Sequence, residues 1–195
     1  MKKWIVSGFL LCMLTLTAEN LITNGDLTKG ARSWTFASWT KTPGTREIKK
    51  EGDMYYLSLS NTRDNKFATM CVQQIKLKSD TTYMFKFRMR TKDVKRQLPN
   101  KVTHGAGISF TAGRYLFAGA AQMWHMIEGT TGWTQYRGTF KTGKLKPGQL
   151  VSLYPSLTLA TGTADFTDFS LEEVKENAGT AAPVQKKKQS KSLSR

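Results

Sequence analysis

The stretch TYMFKFRMRT, residues 82–91, decides the fold class of this chain. Its apolar side chains are Tyr83, Phe85, Phe87 and Met89, and its basic side chains are Lys86, Arg88 and Arg90. Successive side chains of a β-strand point to opposite faces, so this alternation with a period of two predicts a strand with one face in a core. Met84 is the one apolar residue on the basic side.

Other segments have the same character and are separated by Gly, Asn, Asp and Pro. The predicted strands are Tyr55–Ser60, Ala68–Leu77, Trp133–Phe140, 151–159 and Phe166–Val174. Pro155 interrupts one of them, which predicts an edge strand or a bulge there. Many short strands with turn signals between them predict an all-β fold, a two-sheet antiparallel β-sandwich.

The start of the chain has the layout of a secretory signal peptide. Lys2 and Lys3 precede an uncharged, mostly apolar run that ends before the small residue Ala18. We therefore expect residues 1–18 to be removed and the protein to be secreted, periplasmic or at the cell surface. The alternatives are a buried N-terminal helix and lipoprotein processing at Cys12. No second apolar run follows, so no transmembrane segment is expected after signal removal.

Residues 19–176 form the predicted body, which is long enough for one domain with a core. Residues 177–195 form a predicted disordered basic tail, because their Lys, Gln and Ser run offers almost nothing to bury. Cys71 is the one cysteine after the predicted signal. It lies in an apolar stretch, so we expect a small buried side chain rather than a nucleophile.

The chain is strongly basic, with a net charge of +16. Without Lys2 and Lys3 the charge is +14, and the five basic residues of the tail leave about +9 for the body. Such a field favours anionic partners, among them acidic glycans and an anionic polymer of the cell envelope. Nucleic acid is not expected. The alternative is that the charge serves solubility alone.

Two phrases at the ends of the body carry a resemblance to known proteins. The first is NLITNGDL at residues 20–27, followed by Gly30 and Trp34, and the second is ADFTDFSLE at residues 164–172. Between them stand Tyr55–Leu59 after Gly52, the strand at 82–90, and GWTQYRGTF at 132–140. In this order the phrases resemble the carbohydrate-binding modules of families four, nine, sixteen and twenty-two.

The resemblance implies a jelly-roll sandwich related to galactose-binding-like domains. In that family a structural calcium ion often lies where the first turn meets the closing strand. Calcium takes six to eight oxygen ligands, and the candidates here are Asp26, Asp165, Asp168 and Gly25. Thr28 and Thr167 stand where the family has acidic residues, so plain capping of the turn is the alternative.

Sugar binding needs exposed aromatic rings for stacking and polar groups for the hydroxyls. The resemblance assigns Trp34 and Trp133 to the core. The candidate ligand-binding residues are therefore Trp124, Trp39, Tyr115, Arg88, Arg137 and Gln122. The aromatic residues could instead belong to the core, and the arginines could lie on a solvated face.

A catalytic function has little support in the sequence. His104 and His125 are the only histidines, no zinc-binding pattern surrounds them, and no glycosidase phrase is present. We expect a secreted, non-catalytic protein that binds a glycan by aromatic stacking and arginine contacts, and the positive charge favours an acidic glycan. The alternatives are an envelope-associated structural or interaction module without sugar binding, and a polysaccharide lyase or hydrolase on the same fold.

Overall fold

The computed structural model describes residues 19–38, 44–62, 68–112, 115–119 and 126–175. Within these ranges the chain forms ten strands and no helix. The strands are β1 Thr35–Ser38, β2 Thr45–Glu51, β3 Met54–Asn61, β4 Ala68–Ile75, β5 Thr82–Arg96, β6 Gly105–Thr111, β7 Tyr115–Gly119, β8 Gly129–Lys141, β9 Val151–Thr158 and β10 Ala160–Glu173. The predicted signal peptide and the predicted tail lie outside the described residues.

The strands form two five-stranded antiparallel sheets, as the sequence predicts. The first sheet has the order β1-β4-β9-β6-β7, and the second has the order β2-β3-β10-β5-β8. Neighbours in each sheet are mostly far apart along the chain, so the sandwich is closed by long-range pairing. No helix of the described ranges is long and apolar enough to span a bilayer.

The core lies between the two sheets and is rich in aromatic rings. Strand β5 contributes Tyr83, Phe85, Phe87 and Met89, each at most 1% exposed, as the alternation predicts. Phe110 of β6 packs 4.6 Å from Phe140 of β8, measured between ring centroids. The opposite side chains of β5 consequently point away from the core, onto what we call the outer face of the second sheet.

Pro155 lies neither at an edge nor at a bulge, the two positions that the sequence predicts for it. Strand β9 is the central strand of the first sheet. Its pairing with β6 continues through Pro155, whereas its pairing with β4 skips Tyr154 and Pro155 without any change of register. Proline lacks the N–H that a ladder needs, and the sheet accommodates it by a local gap on one side.

Cys71 is fully buried and unpaired, which confirms the expectation of a structural role. Burial raises the pKa of its thiol to about 12, and the lowering effects of a Val72 backbone hydrogen bond and of Arg46 are smaller. The thiolate is the nucleophilic form of cysteine, so this side chain is inert.

Candidate functional site

The outer face of the second sheet carries an aromatic and arginine cluster. Tyr56 comes from β3, Arg88 and Arg90 from β5, Trp133 from β8, and Asp165 from β10. We call these five residues the aromatic–arginine face. Four strands contribute to it, so its geometry depends on the register of the sheet rather than on a loop.

Trp133 lies at the centre of this face and is only partly buried. The guanidinium carbons of Arg90 and Arg88 lie 4.7 Å and 5.5 Å from its ring centroid. Tyr56 meets it edge-on, with centroids 5.7 Å apart and an interplanar angle of 75°. Arginine over indole is an attractive cation–π geometry, so the ring is held in a fixed orientation.

The resemblance assigned Trp133 to the core, and the structure corrects this. Trp34 is the core tryptophan: it is 5% exposed, its ring lies 4.9 Å from that of Phe169, and its Nε1 donates to the carbonyl of Asn24 at 3.1 Å. The spacing of residues along β8 indicates which side of the sheet Trp133 faces. Phe140 and Tyr136 are four residues apart and share the core side, whereas Trp133 is three residues from Tyr136 and must point the other way.

Ion pairs surround the two arginines of the face. Arg90 Nε bonds to Asp165 Oδ2 at 2.7 Å, and Arg90 Nη1 lies 2.7 Å from Glu51 Oε2. Arg88 Nη1 bonds to Asp168 Oδ2 at 3.2 Å. Partial burial lowers the pKa of Arg90, but the hydrogen bonds and charges of Asp165 and Glu51 outweigh it, so the net shift is upward. Carboxylates thus pair with both guanidinium groups and offset most of their charge.

Two buried polar atoms of this face have no hydrogen-bond partner among the described residues. They are the indole Nε1 of Trp133 and the carboxylate Oδ1 of Asp165. The first can only donate and the second can only accept. A buried polar atom without a partner costs about 1–3 kcal/mol, so a group that satisfied either atom would gain free energy by doing so.

Arg137 lies in β8 in register with Lys86 of β5, on the same outer side as Arg88. Lys86 Nζ is 3.8 Å from Glu172 Oε1. Arg137 is exposed and forms no ion pair with any residue of the described ranges. It is thus a cation of the outer face that remains available to a ligand.

Of the other predicted ligand residues, the structure describes Tyr115 alone, which is the first residue of β7 in the first sheet. Trp39, Gln122 and Trp124 lie outside the described residues. Sequence reasoning missed Tyr56 and Trp133. The signal for Tyr56 was its alternation with Leu57 and Leu59, which point into the core.

The first turn and the closing strand meet, as the sequence predicts. The N–H of Phe169 donates to the carbonyl of Gly25 at 3.0 Å, and the side chain of Asn20 bonds to the backbone of β10 at Phe169 and Leu171. A Cβ on Gly25 would collide with the carbonyl oxygen of Phe169, so only glycine permits this approach.

The two carboxylates at this junction already have partners. Asp26 and Asp168 line one hollow together with Gly25 and Lys29. Asp26 Oδ1 accepts from the backbone N–H and the hydroxyl of Thr28, and Asp168 pairs with Arg88. Asp165 is not among the residues that line the hollow.

No three His, Cys, Asp or Glu side chains of the described ranges form a group that could hold a metal ion. Calcium takes six to eight oxygen ligands, and the two carboxylates of the hollow lie beside a lysine. Hydrogen bonds hold the turn against β10, and removal of divalent cations tests whether calcium binds there as well.

Comparison with known structures identifies the fold. No protein-family model matches the chain, and no curated protein matches it. Among solved structures it is similar to a family 4 carbohydrate-binding module, with 14% identity, a TM-score of 0.53, and coverage of 78% of this chain and 99% of that one.

It is also similar to a family 61 module solved with β-1,4-galactotriose, with 16% identity, a TM-score of 0.52, and coverage of 80% and 100%. A third neighbour is the enzymatically active domain of tailspike protein 4 from bacteriophage CBA120, with 13% identity and a TM-score of 0.56. That match covers 80% of this chain but only 21% of the tailspike chain. The protein thus has the jelly-roll fold of carbohydrate-binding modules.

Proposed function

We propose that the protein is a non-catalytic carbohydrate-binding protein whose ligand lies on the aromatic–arginine face. The observation that carries this proposal is the position of Trp133 on the outer face, oriented by Arg88, Arg90 and Tyr56. A sugar ring stacks its C–H face on a flat aromatic ring. Charged donors and acceptors around that ring form strong, directional hydrogen bonds to hydroxyl groups.

The unpartnered atoms of the face suit a sugar hydroxyl. A hydroxyl group both accepts and donates a hydrogen bond, so one hydroxyl can accept from Trp133 Nε1 and another can donate to Asp165 Oδ1. Both atoms are shielded from water in the free protein. Binding would therefore include a small side-chain movement, for which the partly exposed guanidinium group of Arg88 offers room.

Because most charges of the aromatic–arginine face are paired with each other, we expect this face to bind a sugar mainly by stacking and less by its charge. Arg88 and Arg90 are paired with Asp168, Asp165 and Glu51. The three carboxylates are engaged in the same pairs, through Oδ2 of Asp165, Oδ2 of Asp168 and Oε2 of Glu51. Arg137 would supply whatever preference for an acidic sugar this face has, through bidentate contact with a carboxylate or sulfate group.

An interaction module without sugar binding is the second candidate. It is favoured by the guanidinium group of Arg90, which lies over Trp133 and also 5.0 Å from the centroid of Tyr56. In this arrangement the arginine takes the place that a sugar ring would need. The two candidate functions differ in whether the guanidinium group of Arg90 moves away from Trp133 when a sugar is present.

A glycan array with the full chain tests the proposal. We expect binding to at least one polysaccharide, and we expect Trp133→Ala to abolish it. Phe36→Ala is the matched control, because the ring of Phe36 also lies under an arginine, Arg46, but on the first sheet. Loss of binding in both variants, or in neither, would count against the aromatic–arginine face.

Export is part of the same proposal, because an extracellular or periplasmic glycan is the expected ligand. The support is the basic and apolar layout of residues 1–18. N-terminal sequencing of protein recovered outside the cytoplasm should give a start at or within about two residues of Glu19. Recovery of the chain with Met1 intact would contradict this.

A further inference from the structure

One end of the sandwich is built from two loops and three strand ends. Residues 76–81 connect β4 to β5, and residues 142–150 connect β8 to β9. The register places Thr82 of β5 beside Lys141 of β8, and Tyr83 beside Glu173 of β10. We call residues 76–81, 141–150 and 173–175 the lysine-rich end.

Hydrogen bonds join the two loops to each other. The hydroxyl of Thr142 donates to the carbonyl of Lys78 at 2.7 Å and accepts from the N–H of Thr81 at 3.0 Å. The N–H of Leu145 donates to the hydroxyl of Ser79 at 2.9 Å. The partly buried side chain of Leu145 packs against the core. The backbone that carries the surface charges is therefore held in place.

The charge of this end is strongly positive. It contains six lysines, all exposed, against two acidic residues, Asp80 and Glu173. Glu173 is already engaged by Lys78, at 2.7 Å between Oε2 and Nζ. The other lysines form no ion pair with a described residue; they are Lys76, Lys141, Lys144, Lys146 and Lys175.

This surface differs in kind from the aromatic–arginine face. Its segments contain no arginine and no aromatic residue, so nothing in them can stack on a sugar or a base or form a bidentate fork. Lysine acts as a hydrated point charge. Such a surface attracts a polymer whose negative charges are dense, and it does not recognise the shape of the polymer's repeating unit.

The sequence extends the same charge beyond the described residues. Lys175 belongs to this end, and residues 176–195 follow it directly along the chain with four lysines, one arginine and one acid, Glu176. Residues 176–195 thus carry a net charge of +4, of the same sign as the lysine-rich end.

We propose that the lysine-rich end is a second binding surface, for a polyanionic polysaccharide bearing sulfate or carboxylate groups. The choice of a polysaccharide over other polyanions rests on the proposed function. Attraction of this kind releases counterions and weakens steeply with salt, whereas stacking on Trp133 is short-ranged and nearly independent of salt. The two surfaces would hold different parts of one glycan-rich matrix.

Binding of dextran sulfate to the full chain tests this, with uncharged dextran and duplex DNA as comparison ligands. The double variant K144Q/K146Q should bind dextran sulfate about tenfold more weakly at low salt, and its log–log salt slope should fall by about two, one for each lost contact. The matched control is K92Q/K95Q, which removes the same charge from exposed lysines near the opposite end of β5. It should retain most of the affinity.

Equal losses of affinity for dextran sulfate in K144Q/K146Q and K92Q/K95Q would overturn the proposal, because they would show that binding depends on the net charge of the protein alone. Tighter binding of duplex DNA than of dextran sulfate at matched charge concentration would overturn the choice of polysaccharide. The two proposals can fail separately: loss of glycan-array binding in Trp133→Ala bears on the aromatic–arginine face, and the effect of K144Q/K146Q on dextran sulfate binding bears on the lysine-rich end.

Discussion

Replacement of the two tryptophans by alanine separates a core role from a binding role. Trp133 and Trp34 are the same residue type in two environments, one on the outer face and one 5% exposed in the core. Trp133→Ala removes two cation–π contacts, each about 0.5–1 kcal/mol at a partly exposed site, and one edge-on aromatic contact of about 0.5–1.5 kcal/mol. The free energy of unfolding should therefore fall by about 2 kcal/mol.

Trp34→Ala should cost about 4 kcal/mol, because it leaves a cavity beside Phe169 and removes the hydrogen bond to Asn24. For a domain of this size, each kcal/mol lowers Tm by about 2–4 °C. We expect a decrease in Tm of about 4–8 °C for Trp133→Ala and about 8–16 °C for Trp34→Ala. Thermal and denaturant unfolding followed by circular dichroism measure both.

The binding result should show the reverse order. A tryptophan at the centre of a binding site contributes about 2 kcal/mol or more, so Trp133→Ala should weaken the affinity for the glycan found on the array by about thirtyfold or more. Trp34→Ala should bind normally at temperatures where it is folded. If Trp133→Ala instead destabilised the fold as much as Trp34→Ala and left the affinity unchanged, the assignment of Trp133 to a binding face would be refuted.

Three further predictions concern stability. Burial lowers the pKa of His104, and the charges of Lys101 and Arg96 lower it further. As the pH falls, the unfolded state therefore takes up a proton before the folded state does. The contribution of His104 to the free energy of unfolding should be complete above about pH 6.5 and should be lost as the pH falls from that value towards the folded-state pKa. In His104→Gln the pH-dependent change in Tm should be smaller, and an unchanged pH profile would contradict this account. A chelator should leave Tm unchanged, because hydrogen bonds carry the junction of the first turn and β10; a clear decrease would show a bound cation. Gly162→Ala should cost more than about 1 kcal/mol, since Gly162 has a φ of 104° and its Cβ would lie 2.5 Å from a carbonyl oxygen of β5. Gly132→Ala, where a Cβ meets nothing within 4 Å, is the control, and equal losses of stability in the two glycine variants would argue against strain.

The sequence could not predict every strand. Strand β2, with the sequence TREIKKE, is an exposed strand at the edge of its sheet, so it lacks the apolar face on which strand prediction depends. Strand β6 begins with glycines and is buried throughout most of its length, so it shows no alternation. Strand β2 forms because β3, the next strand along the chain, pairs with it in a hairpin. Strand β6 forms because β9, which is distant in the chain, supplies its hydrogen-bond partners.

The candidate site was even less accessible to sequence reasoning. Arg88 and Arg90 were placed on the outward side by alternation alone, and the structure agrees. Asp165 looked like a calcium ligand because it stands near the end of the chain's body, close in sequence to Asp168. In the sheet its register partner is Arg90, and that pairing, which depends on how β10 lies against β5, gives the carboxylate a different role.

By itself, then, the sequence determined the all-β class, the core side of β5, the buried Cys71 and the meeting of the first turn with the closing strand. Each of these depends on local periodicity, on composition or on a phrase shared with a known fold. Only the tertiary structure decided that Tyr56, Trp133, Arg90 and Asp165 form one cluster. The physical reason is that antiparallel register joins residues separated by up to about a hundred positions, and no periodicity within a single strand encodes which strand lies beside it.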